Sequence, residues 1–70
     1  MRVLVVVERT ETGYAAFCPD LPGCVATGES KSSVESTMRD AIEFHVEGMR
    51  AEGLPVPEPH TYGTMVEIAA

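Results

Sequence analysis

Basic residues are scarce in this chain. Five lysines and arginines stand against eleven aspartates and glutamates, a net charge of −6 at pH 7. Such a surface repels phosphate, so direct nucleic-acid binding has no electrostatic support. It suits a basic protein partner, and it also keeps a small protein soluble. Long apolar runs are missing too. The opening "RVLVVVER" is too short for the core of a signal peptide and far too short to span a bilayer, so a cytoplasmic protein without membrane contact is expected. Cysteine is nearly absent: only Cys18 and Cys24 occur, and without an export signal they are expected as reduced thiols. There is no glycine-rich phosphate loop, dinucleotide fingerprint or Ser/His/Asp arrangement, and no cofactor is expected.

What is present fits one domain spanning residues 1–70. A core this small yields about 3–5 kcal/mol on its own, which favours a partner or self-association. Valine-rich "RVLVVVE", residues 2–8, reads as a strand, and "YAAFC", residues 14–18, as a second one across a polar turn. "PDLPG" interrupts pairing because proline donates no amide, and "CVATG", residues 24–28, makes a third strand. The period then changes. Ser30 is an N-cap, with Ser32 as the alternative, and Val34, Met38, Ala41, Ile42, His45 and Met49 form one helical stripe. Arg39, Glu43, Glu47 and Arg50 take the opposite face, and Gly53 ends the helix. "LPVPEP" is extended, and "TMVEIA", residues 64–69, alternates as a last strand. The expected fold is α+β, in the order β-β-β-α-β, with a mainly antiparallel sheet and one helix on one face. Leu4 and Val6 lie on the sheet face a single helix cannot cover, which marks them as a homo-oligomer interface.

The residues that could carry chemistry read mostly as structure. Cys18-x5-Cys24 lacks the spacing of a zinc knuckle, and acidic neighbours such as Asp20 raise a thiol's pKa rather than lower it. Both cysteines therefore pack as small apolar strand ends, with a disulfide across the loop as the alternative. His45 falls inside the apolar stripe and is expected in the core, while His60 is expected in solvent. A metal-dependent nuclease would need clustered acids, with Glu8 and Asp20 as the first candidates. Asp40 and Glu43 lie on the solvent face of the helix and cannot readily join them. The chemistry is that of a binding module, with no catalytic or metal-binding residue expected. Asp20 is expected to accept bonds from nearby amides in an Asx-turn, with Leu21 tucked inward.

Tyr14-Ala15-Ala16-Phe17-Cys18-Pro19-Asp20-Leu21-Pro22-Gly23-Cys24, followed by Gly28-Glu29-Ser30, a helix, and Gly53-Leu54-Pro55-Val56-Pro57, resembles the HicB antitoxin family through nearly the whole chain. Ser33-Val34 stands where that family commonly has Glu-Ala, a departure that weakens a capping box. The resemblance implies a partial ribonuclease H-like fold without catalysis. It also implies a partner, a small basic RNA-cleaving toxin of the HicA type whose active site such proteins cover, and it implies oligomers. Glu8, Glu11, Asp20, Leu21, Pro22, Glu43 and Glu47 are the contact candidates. Many members carry a DNA-binding domain after this module. Because the sequence stops after its last expected strand, operator binding is not expected here. An orphan self-associating scaffold without a toxin is the alternative.

Overall fold

The computed structural model describes residues 1–69. Three antiparallel strands, β1 (Val6–Arg9), β2 (Tyr14–Phe17) and β3 (Val25–Gly28), precede one helix, α1 (Lys31–Ala51). β2 is central, with β1 and β3 at the edges. The register places Val6 opposite Phe17 and Phe17 opposite Val25, one row across all three strands. Because side chains alternate, the next row, Val7, Ala16 and Ala26, faces the other way, towards α1. The helix packs on β2 and β3, so Ala16 is buried while Val7 on β1 stays partly open. The core is Leu21, Val34, Met38, Ala16, Cys18, Cys24 and Val46, flanked by half-buried Val3, Val5, Tyr14, Ala26, Ala41, Ile42 and Val56.

The expected helical stripe is the buried one, with Val46 added to it. His45 is half-buried beside that core. The capping box forms despite the departure at Ser33. The Ser30 hydroxyl accepts from the Ser33 amide at 3.1 Å, and the Ser33 hydroxyl reaches the Ser30 amide at 3.1 Å. A serine thus does the work of the usual longer acid. At the other end, the Gly53 and Leu54 amides donate to Arg50 and Met49, a Schellman closure. The helix meets β3 closely: a Cβ on Gly28 would lie 2.8 Å from the Val34 amide nitrogen, which no larger residue tolerates.

Two expectations need correction. The first strand pairs only from Val6, although the valine run begins at Val3. Continuing the register would set Val5 against Cys18 and Leu4 against Pro19. Cys18 spends its amide on Cys24 and its carbonyl on Leu21, and Pro19 has no amide. Residues 2–5 therefore lie outside the ladder. The last strand is absent as well. Residues 64–69 alternate as expected, yet they pair with nothing among the described residues. A segment becomes a strand only when a neighbour supplies amides and carbonyls to pair with it, and the ladder among the described residues joins β1, β2 and β3 alone.

Leu21 is fully enclosed, and the 18–24 turn is built around it. Its amide donates to Cys18 and its carbonyl accepts from Cys24. Leu21→Ala should cost about 2–5 kcal/mol in a urea unfolding curve, enough to unfold much of a domain this small. Leu54→Ala, at a half-exposed position, should stay within about 0.5 kcal/mol.

Candidate interaction surface

The Asp20 side chain lies 1% exposed at the end of the sheet, where it gathers the chain that follows the helix. Its Oδ2 accepts from the His60 and Thr61 amides, each at 3.1 Å. Its Oδ1 accepts the Thr61 hydroxyl at 2.7 Å and lies 3.0 Å from His60 Nδ1. Three hydrogen bonds and one ion-pair contact thus converge on its two oxygens, and both oxygens have partners. The expected local Asx-turn is replaced by a tie across 40 residues of sequence. No spacing rule points from Asp20 to Thr61, so the sequence held no signal for it. The Thr61 hydroxyl does most to hold the Asp20 carboxyl below its ordinary value. Burial works against it, while the two amides and the His60 charge add to the lowering. His60 is mostly in solvent, as expected, but one face of its ring is engaged.

Burial removes two of the expected contact residues. Asp20 and Leu21 are enclosed, at 3% and 0% exposure, and cannot offer a surface to a partner. Leu21 is held inside because the consecutive turns at Cys18–Leu21 and Leu21–Cys24 point it at Val34 and Met38. Pro22, Glu8, Glu11, Glu43 and Glu47 are exposed, but they do not form one patch. Glu8 pairs with Ala15 on the sheet face turned away from α1, and Glu11 sits in the β1–β2 turn. Glu43 and Glu47 lie on the outer face of the helix, where Phe44 stands 78% exposed between them. Among the described residues, no three His, Cys, Asp or Glu side chains converge as a metal ion requires. Cys18 and Cys24 are both buried free thiols, and burial, then the neighbouring Cys18, pushes the Cys24 thiol up.

The uncovered face of the sheet is more coherent. Val6, Phe17 and Val25 run across it in register, with Phe17 39% and Val25 66% exposed. Glu8, Ala15 and Thr27 form the adjoining row. A shallow depression there is lined by Glu8, Ala15, Phe17, Val25 and Thr27. Val6, one of the two residues expected at an oligomer interface, belongs to this face; Leu4 shares its parity and is half-buried. Phe17 and Val25 were legible too, because the alternation of "YAAFC" and "CVATG" assigns them to the side away from Ala16 and Ala26.

Because folding lowers the Asp20 pKa, Asp20 stabilises the fold above its unfolded value near 3.8, and that contribution is lost as pH falls through the still lower folded value. Thermal melting should therefore be flat in Asp20's share near neutrality and drop below about pH 4. Asp20→Asn should melt lower at pH 7 and show a shallower acid limb than the parent; parallel limbs would exclude the tie as a source of acid sensitivity.

No helix among the described residues is long and apolar enough to cross a membrane. A sequence model described as the HicB_like antitoxin of bacterial toxin–antitoxin systems matches residues 3–69. A UPF0150 protein of Helicobacter pylori is 37% identical over 54 residues, covering 77% of this chain and 75% of its own length. Antitoxin HicB 2 of Photorhabdus laumondii is 32% identical over 75 residues and covers the whole chain. A 14.9 kDa protein from the rep-hol intergenic region of Haemophilus phage HP1 is 33% identical over 77% of this chain. The chain spans only 51% of HicB 2 and 41% of the phage protein. A chain in a solved HicA3 and HicB3 toxin–antitoxin complex superposes with a TM-score of 0.68 at 24% identity, over 84% of this chain and 72% of that one, which establishes the shared fold. The chain belongs to the HicB-like antitoxin family of bacterial toxin–antitoxin systems.

Proposed function

We propose that the protein is a non-enzymatic antitoxin module that binds and masks a small basic RNA-cleaving toxin of the HicA type, and that it does so with the uncovered face of the sheet. The observation that carries this reading is the apolar row Val6–Phe17–Val25, with Phe17 and Val25 exposed, Val6 half-buried and Glu8 beside it, on a chain of net charge −6. An apolar centre with an acidic margin is the composition of a protein interface, and the charge steers a cationic partner towards it. Family membership and the HicA3–HicB3 complex of the structural relative support a toxin as that partner. The non-enzymatic part is supported by Asp20, whose oxygens are spent on three internal hydrogen bonds and an ion-pair contact, and by the placement of Glu8 on the sheet face turned away from the helix that carries Glu43. A second copy of this chain is the other occupant that the same face would accept, as expected from Leu4 and Val6, and an orphan scaffold would use it so.

Co-expression with any small basic reading frame found beside its gene, followed by copurification and titration, tests the proposal. Phe17→Ala should weaken the complex by at least about tenfold, the loss typical of a buried aromatic anchor. Glu8→Lys should slow association most at low salt, as margin charges do. If Phe44→Ala and Glu47→Lys abolish binding while Phe17→Ala leaves it intact, the contact lies on the helix and this reading is wrong. Failure of every toxin-like neighbour to bind would leave the scaffold reading.

A further inference from the structure

Cys18 and Cys24 close the neck of the turn between β2 and β3. The register sets Phe17 opposite Val25, so the next pair outward is Cys18 and Cys24. The Cys18 amide donates to the Cys24 carbonyl at 3.1 Å, which makes them a hydrogen-bonded pair. The Cα atoms of such a pair lie about 5.5 Å apart, within the span of about 4.4–6.8 Å that a disulfide bridges. The return bond of the pair is diverted into the turn. The Cys24 amide donates to Leu21, and the Cys18 carbonyl accepts from Leu21, each at 3.1 Å.

Both side chains also point to one side. Cys18 lies two residues beyond Ala16 and Cys24 two residues before Ala26, and all four belong to the face packed against α1. The two thiols are therefore neighbours in the core, in the company of Leu21, Val34 and Met38. Burial, and after it Cys18, pushes the Cys24 thiol up, so the neutral thiol is favoured. A metal would demand thiolates there, and no third His, Cys, Asp or Glu converges on the pair among the described residues. A disulfide is neutral and leaves the core apolar. The way in is the tip of the turn, where Pro22 and Gly23 are exposed and nothing lies within 4 Å of a side chain added at Gly23. Opening that tip breaks only the two backbone bonds of Leu21.

We propose that Cys18 and Cys24 form a reversible disulfide, a redox-sensitive staple across the neck of the turn. The oxidant is a small-molecule disulfide of the glutathione type. As the turn opens, one cysteine loses its proton to solvent, attacks the oxidant and expels one thiol. The second cysteine then displaces the other thiol. One S–S bond forms as one breaks, and the two electrons of the cysteine pair leave on two molecules of reduced thiol. The bond pins the turn that holds Leu21 in the core and Asp20 against His60 and Thr61. On the outer face it fixes the spacing of Phe17 and Val25, each next in sequence to a bridged cysteine. The staple does not rest on the toxin reading, because its chemistry lies within this chain.

Incubating the full chain with oxidised glutathione should remove two hydrogens from its mass and protect both cysteines from alkylation. Dithiothreitol should reverse both changes. The oxidised form should melt about 10 °C above the reduced one, the gain expected of a short staple in a chain of this size. Urea well below the unfolding midpoint should speed the oxidation, because the thiols react only when the turn opens. Cys18→Ser and Cys24→Ser should lose the melting gain and carry glutathione as a mixed disulfide instead. If either variant fails to fold, the mass and alkylation of the parent decide. A parent that stays open to alkylation, carries only glutathione adducts, links to a second copy or melts no higher once oxidised would overturn the staple. Phe17→Ala keeps both cysteines, so loss of toxin binding in that variant is a separate result.

Discussion

Everything after the helix is fastened to the sheet through one carboxylate. Asp20 collects two amides, a hydroxyl and an imidazole from His60 and Thr61. Val56 adds an apolar contact between the segment after the helix and the core. The arrangement is economical because the stretch being held is stiff. Pro55, Pro57 and Pro59 restrict the backbone before it is tied, so little further freedom is lost when His60 and Thr61 are fixed. Burial and charge oppose each other at this site. The carboxylate is tolerated at 1% exposure because both of its oxygens accept hydrogen bonds.

Local rules made much of the fold legible. The valine run, the breaks at Pro19 and Pro22, Ser30 as cap and the Val34–Met49 stripe are all statements about neighbours in sequence, and each corresponds to an observed element or boundary. The errors came where a property depends on a distant partner. The extent of β1 is decided by Cys18 and Pro19, whose backbone groups are unavailable to it. Residues 64–69 have the alternation of a strand but not the neighbour that makes one. Asp20 has the composition of a turn residue, and its partners lie 40 and 41 residues away.

The candidate surface divides in the same way. Net charge and exposed acids could be counted from the sequence, but charge does not say which acids share a face. Glu8 and Glu47 belong to opposite sides of the molecule, and only the strand register and the helix packing separate them. The apolar row was recoverable from parity alone. Leu21 reads from the sequence both as tucked inward and as a contact candidate; the two successive turns direct it inward, which leaves only the first reading.

Gly28 gives the molecule a pivot. There the backbone of β3 lies directly under the first turn of the helix, with no side chain between them, at the end where Ser30 and Ser33 already fix the helix axis. The helix that extends from this point is a rod about 30 Å long. It acts as a lever whose short arm is the glycine contact and whose far end carries the prolines and the Asp20 tie. A residue larger than glycine at the pivot would swing that far end through several times the local displacement and pull on the tie from a distance. Helix tilt, not contact chemistry, would then decide where the extended segment beyond Gly63 points.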